Sequence, residues 1–310
     1  GFKRKSLNNY NTFMKRRCMK YGCQSMFEKV ESILIKHPKD AFISQDHLND
    51  NWQAFDYEGV PDFKGAIQEF SRFEQIIKEC VPQVHYLPVD QNVGIDSIYT
   101  HDSVKITKHG AIYFPMGKTL RGPETFAMQS YLESISIKTL GHIKGKGKME
   151  GGDIVWLDEG TVAIGQGYRT NKEGIDQFHK LTNNFIKKIY IIPLPHAQGP
   201  AACLHLMSLI SMIDHDLAVV YLKYMPVFFK EILESRGITL IDVSDEEYNR
   251  LGSNVLALSP GKCIMMQGNP EIQNKLKQLG VKVHLYPGLE LSLKGTGGPT
   301  CLTQPVFRTS

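Results

Sequence analysis

One supersecondary theme recurs along the 310 residues: a stretch with helical spacing, a strand, then two short strands around a tight turn, about five times over. "VESILIKH" (residues 30–37) reads as an opening strand. "DFKGAIQEFSRFEQIIKEC" carries apolar residues at helical spacing, with Asp62 in the N-cap position. "QVHYLPV" then reads as a strand, and "SVKITKHGAIYFPMG" as two strands around the turn "KHG". The succession returns through "PETFAMQSYLESIS" and "DIVWLDEGTVAIGQG", then "NKEGIDQFHKLTNNF" and "KKIYIIPLP". It continues in "DLAVVYL" and "MPVFFKEILESRG", and ends in "NVLALSPGKCIMMQ", "PEIQNKLKQLG" and "KVHLYP". Repetition of this kind argues for an α/β fold with pseudo-symmetric repeats. It is not the strict strand–helix alternation of a nucleotide-binding fold. No G-x-G-x-x-G follows a strand and no phosphate loop is present. No Pro/Ser/Gly linker divides the chain, so residues 28–310 are expected to form a single domain.

Charge sets the first 27 residues apart. They hold Lys3, Arg4, Lys5, Lys15, Arg16, Arg17 and Lys20 and no acid; taking these seven from 36 basic residues leaves 29 against 32 acidic ones. The body is therefore slightly acidic, which argues against a nucleic-acid partner. The tail reads as a disordered, loosely attached or vector-derived N-terminus, with a targeting segment as the alternative. No apolar run reaches the roughly 18 residues of a membrane span, and "CLHLMSLISMID" is interrupted by His205. Six cysteines without a C-x-x-C pair make neither a disulfide scaffold nor a zinc site. Their number suits a reducing cytoplasm. Residues 44–63 are expected to form either a lid or a partner surface.

Four stretches carry polar groups where a core or a plain turn does not ask for them. They are Asp102 in "YTHDSVKIT", Glu150 and Asp153 around the glycines of "KMEGGDIVW", His205 within an apolar run, and Cys301 behind "GTGGPT". Each has a bland reading: a turn cap, a surface carboxylate, a satisfied core histidine, a small buried thiol. Taken together, a cysteine, a histidine and two carboxylates suit nucleophilic attack on a cationic guanidinium carbon.

With these residues in view, the sequence resembles the guanidine-modifying (pentein) superfamily of dimethylarginine dimethylaminohydrolase, arginine deiminase and the amidinotransferases. The resemblance rests on "ILIKHPKDAF", "YTHDSVKIT", "MGKTLRGPE", "MEGGDIVW", "GYRTN", "CLHLMS" and "GTGGPTCLTQ", in that order. It implies a five-bladed pseudo-symmetric αβ propeller. It also implies Cys301 as nucleophile, His205 as general acid/base and Glu150 as the carboxylate that orients it. Asp102 resembles the acid that holds the guanidinium, and Arg121 and Arg169 the arginines that clamp the substrate's α-carboxylate. Asp153 joins the substrate-side candidates, chiefly as a support of the "EGGD" turn. No metal or organic cofactor is implied, and the partner is a small guanidino molecule, with a homo-oligomer as an option.

Within the superfamily, "HLMS" places Met207 where deiminases tend to carry an aspartate, and so resembles the methylarginine hydrolases. The glycine-rich loop before Cys301 resembles the deiminases and amidinotransferases, and His101 stands where many of the hydrolases carry a second acid. The expectation is a hydrolase of arginine or N-methylated arginine that yields a ureido product such as citrulline. An arginine deiminase, dihydrolase or amidinotransferase is the alternative within the class. The same fold also serves a ribosome-binding translation factor without the nucleophile, so a non-catalytic binding module is the alternative from another class.

Overall fold

The computed structural model describes residues 19–309. Strand β1 (Val30–Ile35) is followed by the short helices α1 (Pro38–Ala41) and α2 (Gln45–Asn51), then by α3 (Phe63–Cys80) and β2 (Gln83–Tyr86). Helix α3 begins where the Asp62 carboxylate accepts the Gly65 amide at 2.7 Å, so the N-cap read from sequence is in place. Its buried stripe is Ala66, Phe70, Phe73, Ile76 and Ile77. Each large side chain of such a stripe is worth about 1.5–3 kcal/mol of burial.

Three more blades follow one plan: an antiparallel strand pair, a helix, and a third strand parallel to the second. They are β3 (Val104–Thr107), β4 (Gly110–Tyr113), α4 (Glu124–Ser134) and β5 (Thr139–His142); β6 (Ile154–Asp158), β7 (Thr161–Gln166), α5 (Lys172–Thr182) and β8 (Lys188–Pro193); and β9 (Ile210–Asp214), β10 (Leu217–Val220), α6 (Val227–Ser235) and β11 (Thr239–Asp242). After α7 (Asp245–Tyr248) comes the last complete blade, β12 (Leu256–Ser259), β13 (Lys262–Met266), α8 (Pro270–Gln278) and β14 (Lys282–Tyr286). Strand β15 (Thr303–Arg308) then returns to pair antiparallel with β1, Ile35 opposite Thr303, while β2 pairs parallel on the other side of β1. The end of the chain thus completes the blade that its beginning started. Five three-stranded sheets make the five-bladed pseudo-symmetric αβ propeller.

The tail boundary needs correction. The Gly22 amide donates to the Val306 carbonyl at 2.8 Å, and the Cys23 amide to the Ile106 carbonyl at 2.9 Å. Cys23 is buried, so packed structure begins several residues before 28. Residues 1–18, which hold most of the basic tail, lie outside the described residues. Among the described residues no helix is long and apolar enough to cross a membrane.

Candidate active site

Each blade delivers one polar side chain from the turn just ahead of the first strand of its antiparallel pair. Asp102 precedes β3, Glu150 precedes β6, His205 precedes β9, Asn254 precedes β12 and Cys301 precedes β15. The pseudo-symmetry therefore aims two carboxylates, an imidazole, an amide and a thiol at one axis. Asp102, His205 and Cys301 line the same pocket with Asp96, Lys118, Arg121 and Arg169.

His205 donates from Nε2 to Glu150 Oε2 at 2.5 Å, and both are buried. Burial disfavours the charged imidazole. Cys203, Asp102 and the bond to Glu150 outweigh that and hold the ring well above the ordinary histidine pKa. Burial likewise pushes the Glu150 carboxyl up, but the His205 bond and charge hold it below its usual range. The pair is an imidazolium on a carboxylate. His205 Nδ1 points the other way, 3.6 Å from Cys203 Sγ. A Cβ at position 152 would stand 2.5 Å from Nδ1, so only glycine lets the ring sit so close to the turn.

Asp102 Oδ1 accepts the Gly152 amide at 3.1 Å and Oδ2 accepts Arg121 Nη1 at 2.9 Å. Burial opposes its charge, but His205 and Arg121 prevail and keep the carboxyl well below its usual range. Cys301 is half-buried at the pocket floor. Burial pushes its thiol up to about 12, with Asp102 and Cys203 adding to the effect and Asn254 and His205 opposing it. Asn254 explains part of the glycine-rich loop. Its Nδ2 donates to Cys301 Sγ at 3.3 Å while its Oδ1 accepts the Thr300 amide at 3.1 Å. A Cβ on Gly298 would collide with the Asn254 side chain.

One expected role changes. Arg121 was expected to clamp a substrate carboxylate. Its Nε and Nη2 donate to Glu124, Nη2 also to the Tyr99 carbonyl, and Nη1 to Asp102. Buried and engaged on all three nitrogens, it positions Asp102 instead. Asp153 was placed among the substrate-side candidates chiefly as a support of the "EGGD" turn, and its bonds are of that supporting kind. Its Oδ2 accepts the Thr170 hydroxyl at 2.6 Å and its Oδ1 the Leu206 amide at 2.9 Å, which fastens the histidine segment to the "EGGD" turn. It does not line the pocket; burial pushes its carboxyl up to about 6. Arg169 donates from Nη1 to both Glu150 oxygens at 3.4 Å, and no other hydrogen bond engages its guanidinium among the described residues.

Three lining or supporting groups escaped the sequence reading. Asp96 faces Lys118 Nζ at 3.2 Å, and that ammonium also reaches Asp56 at 3.3 Å and the Phe55 carbonyl at 2.5 Å. The segment weighed as a lid thus borders the pocket through Phe55, Asp56 and Glu58. Asn254 is the third. Its position ahead of β12 repeats that of Asp102 ahead of β3, and the repeat register is the signal that would have found it. His101 turns away: its Nδ1 bonds to the Thr303 carbonyl and its Nε2 to Lys105, and burial drives it down to about 3, so it is neutral. The ligand atoms of Asp102, Glu150 and His205 lie within 4.8 Å of one another. Arg121 pairs with Asp102, Arg169 with Glu150, and His205 bonds Glu150 at 2.5 Å, so each member of this set is already engaged by a protein group.

A propeller with these groups on its axis defines the pentein class of guanidine-modifying enzymes. The arginine deiminase family model matches residues 95–227 and 222–308, and the chain belongs to that family. The arginine deiminase of Rhodococcus opacus is 28% identical over 191 residues, 52% of this chain and 46% of that protein. The chain spans about half the length of the curated arginine deiminases it matches. The uncharacterized protein YkgA of Bacillus subtilis is 22% identical over 92% of this chain and 95% of its own. In structure, the dimethylarginine dimethylaminohydrolase of Pseudomonas aeruginosa complexed with citrulline has TM-score 0.71 at 21% identity, covering 89% of this chain and 98% of that one. The substrate-bound N-terminal domain of ArgZ, an arginine dihydrolase from Cyanobacteria, has TM-score 0.75 at 18% identity, with coverages of 89% and 98%.

Proposed function

We propose that this protein hydrolyses a guanidinium C–N bond of arginine or an Nω-methylated arginine through a covalent cysteine thiouronium. The observation that carries the reading is the Glu150–His205 pair at 2.5 Å, opening with Asp102 on the pocket that holds Cys301. Asp102 meets the guanidinium, and the free part of the Arg169 fork meets the α-carboxylate. The cationic substrate lowers the cost of a thiolate, and the Cys301 proton leaves to solvent. Sγ bonds to the guanidinium carbon. His205 gives its Nδ1 proton to the departing nitrogen, the C–N bond breaks and a neutral amine leaves. Neutral His205 then takes a proton from water as hydroxide adds to the thiouronium carbon. The C–S bond breaks, the thiolate returns and the oxygen's proton departs, leaving a ureido product.

Family membership favours a second reading in which plain arginine is the substrate and ammonia the leaving group. Met207 supports the methylated substrate: it is buried in the core and offers no second carboxylate beside the histidine. The test is a panel of arginine, mono- and dimethylarginine, and arginine with glycine, assayed for ureido product and released amine. Dimethylamine release supports the first reading and ammonia from arginine the second. Guanidinoacetate would reassign the chain as a transferase, and no turnover at all would favour a binding module.

A further inference from the structure

We infer that Cys203 is a specificity-determining residue, bordering the place of the departing guanidinium nitrogen and setting which substituents that nitrogen carries. The inference rests on the hydrolase reading above. His205 Nε2 is committed to Glu150 at 2.5 Å, so the catalytic proton has to travel through Nδ1. Cys203 Sγ lies 3.6 Å from that nitrogen. A departing nitrogen must approach Nδ1 to about 3 Å to receive its proton. Whatever is attached to it then lies against the Cys203 side chain.

The surroundings have the same character. Cys203 is exposed and lines the pocket in the segment that also contributes Ala201 and Ala202. Tyr224 and Tyr248, whose rings meet edge-on at 5.9 Å, line the same pocket. A sulfur, two methyl side chains and two aromatic rings make an apolar wall. Such a wall suits methyl groups, and the thiol nearest Nδ1 is only a weak acceptor for a bare –NH2.

The experiment compares kcat/KM for L-arginine, Nω-methylarginine and asymmetric dimethylarginine in the wild type, Cys203→Ala and Cys203→Leu. Melting temperatures are read alongside; the exposed position lets all three fold. Leucine is expected to lower the dimethylarginine-to-arginine ratio by about 10-fold, since one methylene in a pocket discriminates on that scale, and alanine to raise it. A ratio constant within about 2-fold across the three side chains, with turnover retained, overturns this inference alone. Absence of turnover by the wild type on every substrate overturns the hydrolase reading and this inference with it.

Discussion

Cys301 sits where its own negative charge is least welcome. Burial and the neighbouring Asp102 push the thiol up to about 12, and Asn254 and His205 offset only part of that. Its free-state reactivity should therefore follow hydroxide concentration across the physiological range. In the wild type, with the peptide containing Cys301 followed separately by mass spectrometry, alkylation of Cys301 by iodoacetamide is expected to rise through about pH 10 without a plateau. The sign is that of an acid whose protonated form is favoured at neutral pH. A half-maximal rate near about pH 8.5, with a plateau above it, would mean an ordinary thiol and remove the need for substrate-assisted ionisation. The same residue scale decides how much of the site could be read from sequence. Cys301, His205, Glu150 and Asp102 announced themselves as polar groups in apolar or glycine-rich settings. Arg121 was found but given the wrong partner, because a guanidinium three residues from a glutamate reads the same whether it faces substrate or Glu124.

At the scale of elements, α3 braces the turn ahead of the Cys301 loop through its side. The Glu69 carboxylate accepts the amides of Leu289, Glu290 and Leu291 at 3.0, 2.9 and 2.8 Å, anchoring the turn that leads into the glycine loop of Cys301. Replacing Glu69 with alanine strands those amides, and an expected loss of about 2 kcal/mol follows from hydrogen bonds to a charged acceptor. Thermal melting checks the loss, and turnover should fall with it because the loop carries Cys301, the proposed nucleophile. The helices and hairpins were legible because their periodicity spans ten or more residues. Strands β5 and β11 were not: each is a four-residue third strand, with only one buried side chain between them. The strand β9 hid inside the apolar run that His205 opens, and α2 lay in a segment weighed only as lid or surface.

For the whole molecule, the late position of Cys301 follows from closure. Strand β15 pairs with β1, so the chain's last turn occupies the same radial place as the turns ahead of β3, β6, β9 and β12. The sequence showed about five repeats of one theme, which pointed to a pseudo-symmetric repeat fold, and the family resemblance implied the five-bladed propeller. It did not show that each repeat offers its axial residue at the same point, which is why Asn254 passed unnoticed. The five side chains act as one centre only if Cys301 bonds to carbon during turnover. Mass spectrometry of the protein quenched in acid during turnover of arginine or dimethylarginine tests this most directly. The account predicts a substrate-derived thiouronium on the peptide containing Cys301, absent in Cys301→Ser, which should melt like the wild type yet turn nothing over. An unmodified Cys301 peptide throughout turnover, together with activity retained in Cys301→Ser, would contradict it.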